Sequence, residues 1–387
     1  RAVIRNLAQF HQWFRPRAPL TDRLRFLDRY LYWREVYELS GSFGRRLDYQ
    51  PGDLRAALTQ AVRMHADGLY AQRDRRCTRS GRYFTRLKLD GGWRGYAFLK
   101  YKQAAPDSRA SYMTFTAEQW RKSLADPVEW SRSSQVRYAI KKSPSGTISR
   151  CSLPVDGTEL DVICKRSRPR HFGKRLKNLL RQSRALRAWK LGNALLNRQI
   201  PTARPLAVLE RKWFGLVLDS IAVTEYIEHA HDLDALLTVQ LRELPPARQR
   251  EVKLQLCEIL ASVVRTFHAR GFVHRDMKAP NIMVQWNPAG GAPPRVLLVD
   301  LDGIRRRRDR RQRDWLRAIA RLNVSLDHCR SLTAADRLRC LKACLIGPGN
   351  PAPEWRDVWK SIARLSGTKR DQAQRQTKRM LAKLGQI

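Results

Sequence analysis

Residues 271–284 read GFVHRDMKAPNIMV, and this stretch decides the fold. It sets His274, Arg275 and Asp276 in a row, with Lys278 and then Asn281 following closely. Phosphoryl transfer to a hydroxyl needs a carboxylate beside the attacking oxygen, a cation beside the phosphates, and an oxygen ligand for magnesium. Asp276 and Lys278 are the candidate catalytic residues, and Asn281 is a candidate metal ligand. An HxD triplet alone is common in surface turns. The full string lies between a helix at 251–270, apolar on one side, and an apolar strand, and there it reads as a catalytic loop.

Towards the C-terminus, RVLLVDLDG at 295–303 is a buried strand that delivers Asp300 at its end. A second metal ligand is needed there to bridge the nucleotide phosphates. Asp302 stands where the glycine of a D-F-G triplet would be, so two carboxylates compete and Asp300 is favoured. The Gly- and Pro-rich loop 286–294 reads as an insertion between two hairpin strands. The segment 303–313 is nearly all arginine. A basic run is ordinarily a solvated face, but this one follows the metal aspartate directly. Arg305, Arg306 and Arg308 are therefore candidate contacts for an anionic acceptor, since guanidinium forks suit phosphate and carboxylate. A peptide kinase needs a long activation segment with an A-P-E anchor. This segment is short and no A-P-E follows, which favours a small acceptor such as a sugar.

Towards the N-terminus, Lys165 ends the apolar strand Val-Ile-Cys at 162–164, the V-A-I-K position whose ammonium meets nucleotide phosphates. One hairpin earlier lies a polar turn in which Ser145 and Gly146 are candidate phosphate contacts through the backbone. Strands are expected at 136–140, 147–155, 159–165, 206–209 and 221–227, with a helix at 175–197 between the third and fourth. The fold class is thus α+β: a β-rich small lobe and a helical large lobe.

In their order these elements resemble the eukaryotic-type protein-kinase fold. In detail they look more like the bacterial lipopolysaccharide core kinases of the Kdo/WaaP group, through VICK, RAWKLGNALL followed by IPTARPLA, AVTEYI, HRDMKAPN and VDLDG over about 135–345. The resemblance implies ATP and Mg2+ as cofactors, Asp276 as base, Asn281 and Asp300 as magnesium ligands, and Lys165 on the phosphates. It makes Glu225 to Ile227 the hinge that reads adenine through the backbone. It further implies a heptose or Kdo hydroxyl of the lipopolysaccharide core, or a related glycolipid, as acceptor, and a cytoplasmic protein peripheral on the inner face of the membrane. One departure stands out: no acidic residue occurs between 166 and 209, so the 175–197 helix has no glutamate for Lys165. The rival reading is a catalytically silent kinase-fold module that binds anionic lipid or a partner protein.

With 76 Lys+Arg against 35 Asp+Glu, the chain carries a formal net charge of +41, which calls for an anionic partner. An anionic membrane surface fits; a specific nucleic acid is not expected, because no helix-turn-helix, zinc or RRM signature is present. Seven dispersed cysteines without a CxxC pair make a poor disulfide framework. No apolar run is long enough to span a bilayer. A weak internal repeat links RNLAQFH, LTDRLRFL and WREVYEL near the start to RAIARLN, LTAADRLRCL and WRDVWKS near the end. The expected organisation is a helical segment at 1–70, the C-terminal remnant of a preceding kinase-like copy, then a strand-containing extension at 71–134. A small lobe at 135–228, a large lobe at 229–365 and a basic tail at 366–387 complete it.

Overall fold

The structure, a computed structural model, describes residues 2–14, 18–40, 51–100, 114–131, 136–143, 146–168, 182–288, 292–307, 312–345 and 355–384. They form two compact units, Arg1–Arg75 and Arg76–Ile387.

The first unit consists of α1 (Ala2–Phe14), α2 (Leu20–Leu39) and α3 (Pro51–Arg76). Ile4 and Ala8 from α1, Leu27 and Leu31 from α2, and Leu58 from α3 make its small core. The third repeat block, 33–39, is not a helix of its own: it continues α2, whereas its counterpart at 355–361 opens a new helix.

The second unit begins with β1 (Phe84–Lys88) and β2 (Trp93–Phe98), the hairpin expected around the Asp90-Gly91-Gly92 turn. Then come β3 (Val136–Ser143), β4 (Gly146–Val155), β5 (Thr158–Ser167), β6 (Pro205–Trp213) and β7 (Leu216–Glu225). Among the described residues these strands form one antiparallel sheet in the order β1-β2-β6-β7-β5-β4-β3. The hairpin, to which the sequence assigns no role, thus extends the small-lobe sheet through β2 and β6. Side chains alternate along β5, so Val162, Cys164 and Arg166 are buried on one face while Ile163 and Lys165 lie on the other. The buried face is covered by α4 (Ala117–Ser123) and α5 (Pro127–Trp130), whose Trp120 and Trp130 pack with Val162, Cys164 and Val223. Against the opposite face lies α6 (Arg184–Asn197), through Ala185, Leu186 and Trp189. Its Ser183 cap accepts from the Leu186 amide at 2.9 Å. The helix expected from 175 is described from 184; residues 169–181 lie outside the described set.

One charged pair sits inside the buried face. Arg166 Nη2 donates to Asp219 Oδ2 at 2.6 Å, its Nε to the same oxygen at 3.0 Å, and its Nη1 to Ser131 Oγ at 3.0 Å. These bonds tie β5 to β7 and to the end of α5, and they offset the cost of taking both charges out of water.

The large lobe runs through β8 (Ala230–Asp232), α7 (Leu233–Thr238), α8 (Pro246–Ala269), β9 (Phe272–His274), β10 (Ile282–Gln285), β11 (Arg295–Leu298) and β12 (Ile304–Arg306). It closes with α9 (Gln312–Ser325), α10 (Ala334–Leu345) and α11 (Trp355–Leu384). The apolar side of α8, including Val252, Leu260, Val264 and Phe267, is the spine of the lobe's core. Gly271 follows at φ 77°, a left-handed position that stops the helix without a Cβ penalty. β10 and β11 pair antiparallel, and the 286–294 segment is the connection between them. The molecule's second unit is a two-lobed, protein-kinase-like α+β fold.

Candidate active site

The candidate catalytic loop leaves β9 and returns as β10, so its ends are held by pairing. Asn281 Nδ2 donates to the Asp276 carbonyl at 2.8 Å, and the Val299 amide donates to the Asn281 carbonyl at 3.0 Å. The loop is thereby braced across its own width and against the strand that carries Asp300. Buried His274 is its hub: its Nδ1 accepts from the Asp276 amide at 3.3 Å. Burial lowers the His274 pKa below the usual value, so the ring is held neutral. Gly303 presses on this hub, and a Cβ there would lie 3.1 Å from two ring atoms and 3.4 Å from Asp276 Cβ. The sequence carries a glycine at that point, one place later than in D-F-G, and only the packing on His274 shows why.

Asp300 sits at φ 52°, a left-handed conformation that turns the chain out of β11. Its side chain meets the small lobe: Lys165 Nζ is 2.7 Å from Asp300 Oδ1 and 3.7 Å from Asp302 Oδ2. The partner that α6 does not provide for Lys165 thus comes from the large lobe. Lys278 Nζ lies 2.8 Å from Asp276 Oδ1, so the two catalytic candidates form an ion pair on the exposed side of the loop. α6 reaches the same place by a different contact. At Gly192 a Cβ would stand 2.5 Å from Pro205 Cγ and 3.2 Å from Leu301 Cδ1, so the glycine lets the helix settle onto the start of β6 and near the residue between the two aspartates.

At the hinge, the Glu225 amide donates to the Arg204 carbonyl and the Tyr226 amide to the Asp161 carbonyl, at 2.9 and 3.0 Å. The Glu225 carboxylate accepts from the Arg204 amide at 2.9 Å. The Ile227 amide donates to no carbonyl among the described residues. Gly146 opens β4 opposite Ser167, and a Cβ there would come within 2.4 Å of the Arg166 carbonyl oxygen. Close strand approach alone therefore requires glycine at this position. Ser145 and Arg308 lie outside the described residues. Arg305 and Arg306 are exposed on β12, which pairs with β9 opposite Val273 and Phe272. This pairing, with the Arg307 amide bonded to the Gly271 carbonyl at 2.7 Å, holds the start of the arginine run against the catalytic loop.

Among the described residues no cluster of three or more His, Cys, Asp and Glu side chains is arranged to hold a metal. The donors at the cleft nevertheless suit magnesium, a hard cation that takes one or two carboxylates and completes its shell with phosphate and water. Asp300 and Asp302 already share one cation, the Lys165 ammonium, and Asn281 has its amide nitrogen engaged within the loop. A cavity of about 100 Å³ lies elsewhere, lined from α7, α8, α9, α10 and α11. Its wall is mainly apolar, and two of the charged residues that line it, Lys253 and Asp336, are paired with each other at 3.0 Å. Among the described residues no helix is long and apolar enough to cross a membrane.

Residues 163–343 match the family model of the lipopolysaccharide kinase (Kdo/WaaP) family. A solved structure of WaaP in complex with acyl carrier protein is similar at 22% identity and a TM-score of 0.42, covering 61% of this chain and 87% of that one. No curated protein matches the chain. At family level the match supports kinase activity of the lipopolysaccharide-kinase kind, which implies ATP as phosphoryl donor. The resemblance carried by the motifs is therefore matched by the family comparison: residues 163–343 are similar to the lipopolysaccharide kinase (Kdo/WaaP) family.

Proposed function

We propose that the chain is an ATP- and Mg2+-dependent phosphotransferase whose acceptor is a sugar hydroxyl of the lipopolysaccharide core, heptose or Kdo, or of a related glycolipid. The observation that carries this reading is the meeting of Lys165 with Asp300 and Asp302 beside the braced loop of Asp276, Lys278 and Asn281. Asp276 is the base for the acceptor hydroxyl. Lys278 is the cation next to it, and neutralises charge on the phosphoryl oxygens. Asn281 and Asp300 hold the metal, which when bound screens the phosphates. Lys165 orients the phosphates from the small lobe, and Ser145 and Gly146 contribute backbone contacts to them. Glu225 and Ile227 bracket the hinge at which the adenine edge is read, with the Ile227 amide as donor. Arg305, Arg306 and Arg308 bind the anionic groups of the acceptor. The net positive charge favours an anionic membrane surface, on the cytoplasmic side where ATP is available.

The test is transfer of label from γ-labelled ATP to total cell-envelope glycolipid, with Asp276→Asn as control. Labelled glycolipid formed by the wild type and not by the variant is the expected result. The second reading, a silent module that binds anionic lipid or a partner protein, is favoured by one observation: α6 supplies no carboxylate to Lys165. It takes over if neither transfer nor Mg2+-dependent ATP binding is measured.

A further inference from the structure

Two helices of the first unit, α1 and α2, repeat α9 and α10 of the large lobe, and the repeat extends to their contacts. RNLAQFH at 5–11 aligns with RAIARLN at 317–323, and DRLRFL at 22–27 with DRLRCL at 336–341. Arg337 Nη1 donates to Asn323 Oδ1 at 2.7 Å; in the first unit the equivalent Arg23 Nη1 lies 3.1 Å from His11 Nε2. Arg339 pairs with Asp336 at 3.1 Å, and Arg25 with Asp22 at 3.5 Å. Ala8 and Ala320 are both buried to 1% exposure, and Leu27 and Leu341 occupy matching places in the two small cores.

The two pairs of helices differ on the face that, in the large lobe, meets α8. In the large lobe, Leu322, Leu326 and Cys344 belong to the core that α8 dominates, and Cys340 lies against Cys257 of α8. Their counterparts in the first unit are Phe10, Phe14, Tyr30 and Phe26. Phe10 is 42% exposed and Phe26 44%, against 7% for Leu322. The Phe10 ring lies 4.5 Å from Phe14 and 4.7 Å from Phe26, so these side chains make a continuous aromatic patch. Charge follows the same rule. Asp336 takes Lys253 of α8 at 3.0 Å, whereas Asp22, with its side chain 54% exposed, pairs among the described residues with Arg25 of its own helix. An aromatic patch of this kind is ordinarily covered.

We infer that the exposed face of α1 and α2 is the docking surface for an α8-type helix belonging to a second kinase-like large lobe. Its occupant is amphipathic, apolar where it meets Phe10 and Phe26, and bears a cation opposite Asp22. Because Phe10, Phe26 and Tyr30 are larger than Leu322, Cys340 and Cys344, the occupant carries smaller side chains at those contacts than α8 does. The inference is independent of the proposed phosphotransferase activity.

The test uses the full chain and a fluorescent peptide with the sequence 246–269, carrying Cys257→Ala to make room opposite Phe26. Saturable binding by anisotropy is expected. Phe10→Asp with Phe26→Asp should weaken it at least tenfold. Asp22→Lys should weaken it too, and a Lys253→Asp peptide should restore binding to that variant, a rescue that mere loss of folding cannot produce. Absence of saturable binding overturns the inference, as does equal binding by the Phe variant. So does the finding that the Phe variant loses only self-association in sedimentation, or only binding to anionic vesicles, since the occupant is then a bilayer or another surface of a second copy, whose own α8 is covered by α9 and α10.

Discussion

Lys165 Nζ, on the small-lobe sheet, lies 2.7 Å from Asp300 Oδ1, a residue 135 positions later at the end of a large-lobe strand. Both side chains are about one-third or more exposed, so the pair contributes only ~0–1 kcal/mol to stability. It is a weak contact between groups that the proposed chemistry needs on opposite sides of a nucleotide. Lys165→Met should leave the urea unfolding midpoint almost unchanged and abolish phosphotransfer. A large loss of stability with activity retained would show that the pair is only a strut.

For the metal, Asp300→Ala should weaken Mg2+-dependent ATP binding more than Asn281→Ala does, because it removes a full charge. Isothermal titration with and without Mg2+ measures this. If Asp302→Ala is damaging while Asp300→Ala is silent, Asp302 is the ligand instead.

Neutralising Arg305, Arg306 and Arg308 together to Gln should raise the acceptor KM strongly and leave the ATP KM nearly unchanged. Charge-assisted hydrogen bonds to an anionic acceptor are worth about 1.5–3 kcal/mol each when desolvated. Steady-state kinetics with both substrates varied checks this; an unchanged acceptor KM would make the run a solvated face.

Asp219→Ala should destabilise the second unit by about 3–5 kcal/mol, since it strands the buried Arg166 guanidinium beside one hydroxyl. Denaturant unfolding is the measurement. A change under 1 kcal/mol would mean that water reaches the site.

Stability should fall as pH drops below about 6.5, the ordinary His value. The folded protein holds His274 neutral by burial, with its pKa lowered, so the unfolded chain takes up the proton first. Where the unfolded state binds more protons, stability rises with pH. Unfolding free energies between pH 7.5 and 5 should therefore decline, and His274→Gln should flatten that slope.

The candidate catalytic loop is legible in the sequence because its residues are neighbours along the chain. Asp276, Lys278 and Asn281 lie within six residues, between a helix of clear apolar period and a strand, and no distant partner is needed to identify them. The VDLDG strand end and the hairpin at 84–98 were readable for the same reason. Glycines were read less well. Gly303 and Gly192 fit close approaches by residues on other elements, and Gly146 meets the backbone oxygen of Arg166, the residue next to Lys165.

The sequence alone carried the order of the small-lobe strands between 136 and 227 with the helix among them, the grouping of Asp276, Lys278 and Asn281 on one short loop, and the absence of a carboxylate on the helix that follows Lys165. Only the tertiary structure decided that Asp300 and Asp302 meet Lys165, that Asp219 neutralises Arg166, and that β2 joins β6. Those pairings follow from the register of antiparallel strands and from how the two lobes close on each other. Local residue patterns carry which face of a strand is apolar. They carry almost nothing about which distant charge will stand opposite it, because that depends on packing summed over the whole core.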